Sequence, residues 1–178
     1  MKKVFTLILI FTFIFSLVGC KKPGPIDNKQ YNIKLNIPNE NWNVSKLSIP
    51  QTQIIEKKGT LGTVSIMSTK VEDKDVSGVS KKSIDDIFSI IKSKTSQKKT
   101  GITVKDIGSK TLNNITWRGM EITFKMPGNI GTIVQTMYIA KKGKSAFIVA
   151  LHSPPSENTD STKDLETALL KAEFPEAK

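Results

Sequence analysis

The chain is poor in the side chains on which most catalytic and metal sites depend. Its 178 residues include one cysteine (Cys20), one histidine (His152) and one arginine (Arg118). A disulfide within the chain needs a second cysteine, and a structural zinc site takes four ligands, mostly from Cys and His. A histidine base needs a nucleophile and an orienting acid, and the sequence shows neither beside His152. We therefore expect a structural histidine, no metal, no cofactor and no enzyme activity.

The motifs of nucleotide and acyl chemistry are missing as well. No G-x-S-x-G elbow, G-x-G-x-x-G turn or P-loop occurs. The acidic run Glu72–Asp75 lacks the spacing and the glycine of a calcium-binding loop. These absences leave a binding module as the leading class of function.

Lysine supplies almost all of the formal charge of +11. Sequence-specific nucleic-acid readers depend on arginine for bidentate contacts, so no nucleic-acid partner is expected. The lysines indicate either a solvated surface or attraction to anionic lipid or wall polymer. The abundance of Lys, Ile and Asn beside a single Arg is typical of a low-GC Gram-positive bacterium.

The most informative feature that is present lies at the N-terminus. The pair Lys2-Lys3 precedes an apolar run from Val4 to Val18, a pattern that predicts a secretory signal peptide. As a helix this run would reach roughly 22 Å, which is short of the ~30 Å core of a bilayer. Its ending, Leu17-Val18-Gly19-Cys20, resembles the lipobox of bacterial lipoproteins. In that family the cysteine thiol receives a diacylglycerol, and cleavage makes this cysteine the first residue of the mature protein.

The lipobox resemblance divides the chain into three parts. It implies a lipoprotein signal peptide over residues 1–19, a lipidated Cys20 with a flexible tether over residues 20–30, and one domain over residues 31–178. A diacylglycerol supplies two acyl chains, such as palmitate, which is enough for stable anchoring. The expected location is therefore the extracytoplasmic face of the cell membrane, with membrane lipid as the partner of Cys20.

Hydrophobic periodicity predicts an α+β domain after the tether, a mostly antiparallel twisted sheet with helices packed on it. One helix opens at Ser83, whose pairing with Asp86 resembles a capping box, and a second runs from about Asp160 to Phe174 after a loop over residues 153–158. The stretch Ser145–Leu151 is apolar on both faces, so we expect it to be the central strand with a helix on each side. The other predicted strands are Tyr31–Ile37, Gln53–Lys57, Thr63–Val71, Thr103–Lys110, Ile115–Met126 and Thr132–Ala140.

This order of elements resembles the PsbP-like fold, an α/β/α sandwich that includes small bacterial lipoproteins related to DcrB. The Ran-binding release factor of eukaryotic nuclear transport has the same architecture. The likeness covers residues 31–174 and rests on Tyr31–Pro38 leading to Trp42, on Trp117–Met120, on Tyr138, on Lys142–Phe147 and on Ser153-Pro154 before a closing helix. It implies a scaffold or accessory role rather than an enzyme. The photosynthetic members assist a metal cluster, but no motif here matches that role, so no functional residue is transferred.

Trp42, Trp117 and Arg118 are the candidate partner-binding residues. A partly exposed tryptophan beside an arginine is a frequent interface pair, although both tryptophans could instead pack the sheet onto its helices. We expect a non-catalytic, membrane-tethered binding or accessory module of the cell envelope with an unknown ligand, whose partner is either an envelope protein or anionic wall polymer.

Two alternative functions remain open. One is an envelope hydrolase with a dispersed active site. The other is adhesion to anionic wall polymer or lipid through exposed lysines, namely Lys57, Lys58, Lys141, Lys142 and Lys144. Binding of the second kind should weaken steeply as the ionic strength rises.

Overall fold

A computed structural model describes residues 33–46, 52–60, 63–73, 75–96, 101–125 and 131–174 of the chain. The predicted signal peptide, Cys20, the tether and Tyr31 lie outside the described residues. The strands are β1 (Trp42–Val44), β2 (Gln53–Lys57), β3 (Ser65–Val71), β4 (Ile102–Leu112), β5 (Ile115–Lys125), β6 (Thr132–Lys142) and β7 (Ser145–Ser153). The helices are α1 (Ile84–Ser96) and α2 (Pro155–Leu170), and a 3-10 turn spans Val79–Lys81.

The strands form one antiparallel sheet in the order β1-β2-β3-β7-β6-β5-β4. The apolar strand β7 is in the middle, and its residues from Ala146 to Ser153 are all buried. Alternate side chains of β7 enter two separate cores. Ile148 packs with α1 on one face of the sheet, and Val149 packs with α2 on the other. The α+β fold and the central position of this strand are confirmed.

The start of α1 follows the predicted capping box. The Asp86 amide donates to the Ser83 hydroxyl oxygen at 3.1 Å, and the Asp86 carboxylate accepts from the Ser83 amide at 3.1 Å. The hydrogen bonds from Ser83 lower the pKa of the Asp86 carboxyl. Ile87, Phe88 and Ile91 then face the sheet and are buried, as the helical spacing predicted.

The predicted boundaries of α2 were wrong at both ends. The helix begins at Pro155 and ends at Leu170, so the predicted loop over residues 153–158 contains its first turn. Proline favours the first helical position, because the amide that it lacks would have no intrahelical partner there. Pro155 therefore marks the start of the helix, within the stretch predicted as a loop.

The predicted first strand is also wrong within the described residues. Residues 33–42, which we call the strap, form no strand before β1 begins at Trp42. Their backbone bridge is an antiparallel one between Lys34 and Glu173, a residue that follows α2. Ile33 and Leu35 are buried while Ile37 is 41% exposed, so only part of the alternating pattern was correct. The strap fails to form a strand because the Gln53 side chain, rather than a neighbouring strand, bonds the amide and carbonyl of Leu35.

The strap is held by hydrogen bonds to α2 and to the residues that follow α2. Its polar contacts are Lys34 to Glu173 at 3.0 Å, Asn36 to the carbonyl of Lys171 at 2.5 Å, and Asn39 and Trp42 to Asp164 at 2.7 and 2.9 Å. The chain therefore enters the domain beside the C-terminal end of α2 and runs towards the sheet edge at β1.

Candidate functional site

Both tryptophans proposed as interface residues lie in the core on the α2 face. Trp42 is 2% exposed and Trp117 is 0% exposed. The Trp117 indole nitrogen donates to the carbonyl of Leu112 at 3.3 Å, and its ring lies 6.1 Å from the ring of Phe174. Of the two arrangements open from the sequence, packing of the sheet against its helix is therefore the one observed for both tryptophans.

Arg118 points to the opposite face of the sheet from Trp117, because successive residues of a strand alternate sides. Its guanidinium lies 4.5 Å from the centre of the Phe88 ring and 3.2 Å from the carboxylates of Asp85 and Asp106. Two of these partners belong to α1 and one belongs to β4. The arginine thus ties α1 to the β4–β5 edge, and the structure does not bring it together with either tryptophan.

The carboxylate of Asp106 belongs to an irregularity in β4. The pairing register with β5 shifts between Asp106 and Gly108, and the Gly108 amide donates to the carboxylate at 2.9 Å. This hydrogen bond, together with the nearby Arg118 and Lys92, holds the pKa of the Asp106 carboxyl below its ordinary value. The charged side chains of Asp106, Arg118 and Lys92 therefore make contacts with one another that stabilise the fold.

His152 is buried in the central strand on the α1 face. Its register neighbours are Ser65 on β3 and Gln135 on β6, which are buried as well. Burial lowers the pKa of the imidazole from 6.5 to about 4, so the ring is neutral at physiological pH. A general base must reach a proton of its substrate, and a ring in this position does not. Among the residues that the structure describes, no group of three or more His, Cys, Asp or Glu could hold a metal ion.

The burial of His152 predicts a stability that depends on pH. The unfolded chain takes up a proton below about pH 6.5, whereas the folded chain does so only near pH 4. Its contribution to the free energy of unfolding is therefore complete above pH 6.5 and is lost as the pH falls towards 4. Urea denaturation should show a loss of about 2 kcal/mol between pH 7 and pH 5.

The matched variant His152→Gln cannot titrate and should lose much less over this pH range. His152 is the only histidine, so no other side chain with an ordinary pKa titrates in this range. Equal losses in the two proteins would show that the imidazole is not the titrating group.

Sequence reasoning missed a polar network between the sheet and α2. The Tyr138 hydroxyl donates to the Glu166 carboxylate at 2.8 Å, and Lys110 reaches the same oxygen. Burial, and then Glu166, raise the pKa of Tyr138. Nearby, the Asn158 side chain bridges Glu121 and Ser153 at 3.2 and 3.0 Å. Apart from Ser153 and Asn158, the partners are far apart in the chain, so no local pattern could have predicted their contacts.

The main surface feature is a group of lysines where the hairpin turns and the end of α2 meet. The Asn113 side chain of the β4–β5 turn donates to the carbonyl of Ala172 at 2.7 Å, and Lys142 lies 4.9 Å from the ring of Phe174. We call the lysines on the α2 side of this end, together with Lys144 in the turn that joins β6 to β7, the lysine patch: Lys34, Lys70, Lys110, Lys142, Lys144 and Lys171. Register places two of them on the α2 side, since Lys70 pairs with Phe147 and Lys110 with Trp117.

The lysine patch carries the whole charge excess of the described residues. They include 18 basic and 14 acidic side chains. The patch has six lysines, while the acidic groups beside it are Glu166 and Glu173, which pair with Lys110 and Lys34. The remaining described residues are balanced, with 12 basic and 12 acidic side chains. The other four patch lysines have no carboxylate within ion-pair distance in the described part of the chain.

The structure separates the five lysines that the sequence grouped as an adhesive surface. Only Lys142 and Lys144 belong to the patch. Lys57 is paired with Glu157 at 3.1 Å, and Lys141 donates to the carbonyls of Ser80 and Lys82. These two ammonium groups therefore make contacts within the fold.

Comparison with known proteins identifies the fold and no family. No family model matches the chain, and no curated protein sequence matches it. The crystal structure of PA94, a protein of unknown function from Pseudomonas aeruginosa, is similar over 77% of this chain and 99% of that chain, with 10% identity and a TM-score of 0.51. A mutant of the protein Mog1 is similar over 80% of this chain and 90% of that chain, also with 10% identity and a TM-score of 0.51.

PsbP from the cyanobacterium Synechocystis is also similar, over 88% of this chain and 98% of that chain, with 8% identity and a TM-score of 0.45. At identities this low the similarities to PA94 and Mog1 concern the fold alone. Among the described residues, no helix is long and apolar enough to cross a membrane.

Proposed function

We propose that this protein is a lipoprotein of the cell envelope, anchored through diacylglycerol on Cys20, whose α+β domain is a non-catalytic binding or accessory module. The observation that carries the proposal is the ending Leu17–Cys20, placed directly after a short apolar run with a basic start. The chain has no other cysteine, so the anchor is the single use of a thiol in the protein.

The accessory role is supported by what the described side chains do. The ionisable side chains that could serve in catalysis are instead engaged in packing or in contacts between elements. They are Arg118, His152, Tyr138 and Glu166. Twelve residues separate Cys20 from Ile33. A flexible chain of that length spans about 20 Å on average, so an anchored domain would work close to the lipid surface.

The substitution Cys20→Ser tests the anchor. A serine cannot form the thioether, so the variant should lose all incorporation of labelled palmitate and leave the membrane fraction or remain unprocessed. The measurements are metabolic labelling and fractionation of cells that express each form. The wild-type chain should carry the label and sediment with membranes even at high salt, because acyl chains rather than charges hold it.

A matched control is Ser16→Ala, which alters a small residue of the apolar run and keeps the cysteine. It should be labelled and sediment like wild type. A Cys20→Ser protein that is processed and remains bound to membranes at high salt would refute the proposal.

A further inference from the structure

The lysine patch lies at the point where the chain enters the domain. Lys34 is a member of the patch, and the preceding residue, Ile33, accepts a hydrogen bond from Ser68 of β3 at 3.4 Å. The described part of the chain therefore begins on the patch side of the domain. Residues 20–32, which come before it, contain Lys21, Lys22 and Lys29 against a single acidic residue, Asp27.

We infer that the lysine patch binds anionic phospholipid headgroups and holds the domain with its patch side against the bilayer. The inference rests on the proposed function, because the anchor at Cys20 is what brings the patch to the membrane. The excess charge is supplied by four lysines that have no carboxylate partner among the described residues: Lys70, Lys142, Lys144 and Lys171. Each lysine at an anionic surface strengthens binding about five-fold.

Lipid is favoured over wall polymer because of the position of the patch. Because the anchor is about 20 Å away, the tether keeps the patch lysines close to the lipid headgroups, which raises the effective concentration of the headgroups at the patch. The field of an anionic surface decays over about 8 Å at physiological ionic strength, so only lysines on the side facing the membrane can contribute. The patch lysines meet this condition, because they lie at the side of the domain where the tether joins it.

Vesicle sedimentation tests the inference with the unlipidated chain, residues 20–178 carrying Cys20→Ser. This chain keeps every described residue, including both cores and the strap. It should bind vesicles of phosphatidylcholine mixed with phosphatidylglycerol, fail to bind phosphatidylcholine alone, and dissociate as salt is raised. Replacing these four patch lysines by glutamine (K70Q, K142Q, K144Q and K171Q) should lower the affinity by about six hundred-fold, at five-fold for each lysine.

The control removes the same charge elsewhere. Four exposed lysines outside the patch are replaced by glutamine: K46Q, K58Q, K105Q and K125Q. This variant should keep most of the binding, and circular dichroism should show both variants folded, since the replaced side chains lie at the surface. Equal affinity of the two variants would overturn the inference.

A second outcome would also overturn it, namely binding of the wild-type chain to poly(glycerol phosphate) without binding to phosphatidylglycerol vesicles. The result is independent of the anchor, because the chain in the vesicle assay carries no lipid. The two experiments therefore distinguish a protein that is lipidated but whose patch does not bind lipid from a protein whose patch binds lipid but which is not lipidated.

Discussion

Trp117→Ala should lower the free energy of unfolding by about 3–5 kcal/mol, among the largest effects of any single substitution in this domain. The ring is fully buried, between the sheet and the residues that follow α2, and it packs against Phe174. Removing it leaves a cavity and takes away the donor to the carbonyl of Leu112. Urea denaturation followed by circular dichroism measures the loss.

The conservative variant Trp117→Phe separates packing from recognition. It keeps most of the buried ring and loses the indole hydrogen bond, so its loss of stability should be clearly smaller. An interface tryptophan would instead leave the stability unchanged in both variants, and that result would contradict the core position.

Gln53→Leu should lower the free energy of unfolding by about 2–6 kcal/mol, because two buried main-chain groups lose their partners at about 1–3 kcal/mol each. The Gln53 side chain accepts from the amide of Leu35 at 2.6 Å and donates to its carbonyl at 3.0 Å. It thus takes the place of a neighbouring strand for the strap. Hydrogen exchange should also show faster exchange of the Leu35 amide, alongside the loss in urea denaturation.

Gln135→Leu is a matched control for this substitution. Gln135 is 0% exposed on β6, and neither its amide nitrogen nor its amide oxygen has a hydrogen-bond partner in the described part of the chain. Removing an unsatisfied buried amide is neutral or stabilising, so the same chemical change should have the opposite sign or no effect. Equal destabilisation by the two substitutions would show that the bonds to Leu35 are not the cause.

The strongly patterned elements were predicted well because their signals are local. The apolar stretch of β7 indicated a strand covered on both faces, and the pair Ser83 and Asp86 indicated the start of α1. The strap was predicted wrongly as a strand. The alternation at Ile33 and Leu35 indicates which side chains are buried, but it does not indicate which group bonds the main chain of Leu35. That partner, Gln53, is eighteen residues away in the chain.

The candidate site shows a different kind of error. The neighbours Trp117 and Arg118 suggested a joint surface, although alternation within the predicted strand Ile115–Met126 already implied the opposite faces that β5 gives them. Burial of a tryptophan depends on whether an element from elsewhere in the chain covers it. Here the residue that does so is Phe174.

The amino-acid sequence by itself determined the N-terminal anchor pattern, the periodicity of the strands and helices, and the α+β class of the domain, because each depends on residues close together in the chain. Only the tertiary structure decided which lysines share a surface. Lys70 and Lys142 belong to strands that are not neighbours in the sheet, and the fold of the sheet and the end of α2 bring them to one side. The net charge was readable from composition, whereas its concentration where the chain enters the domain follows from long-range strand pairing.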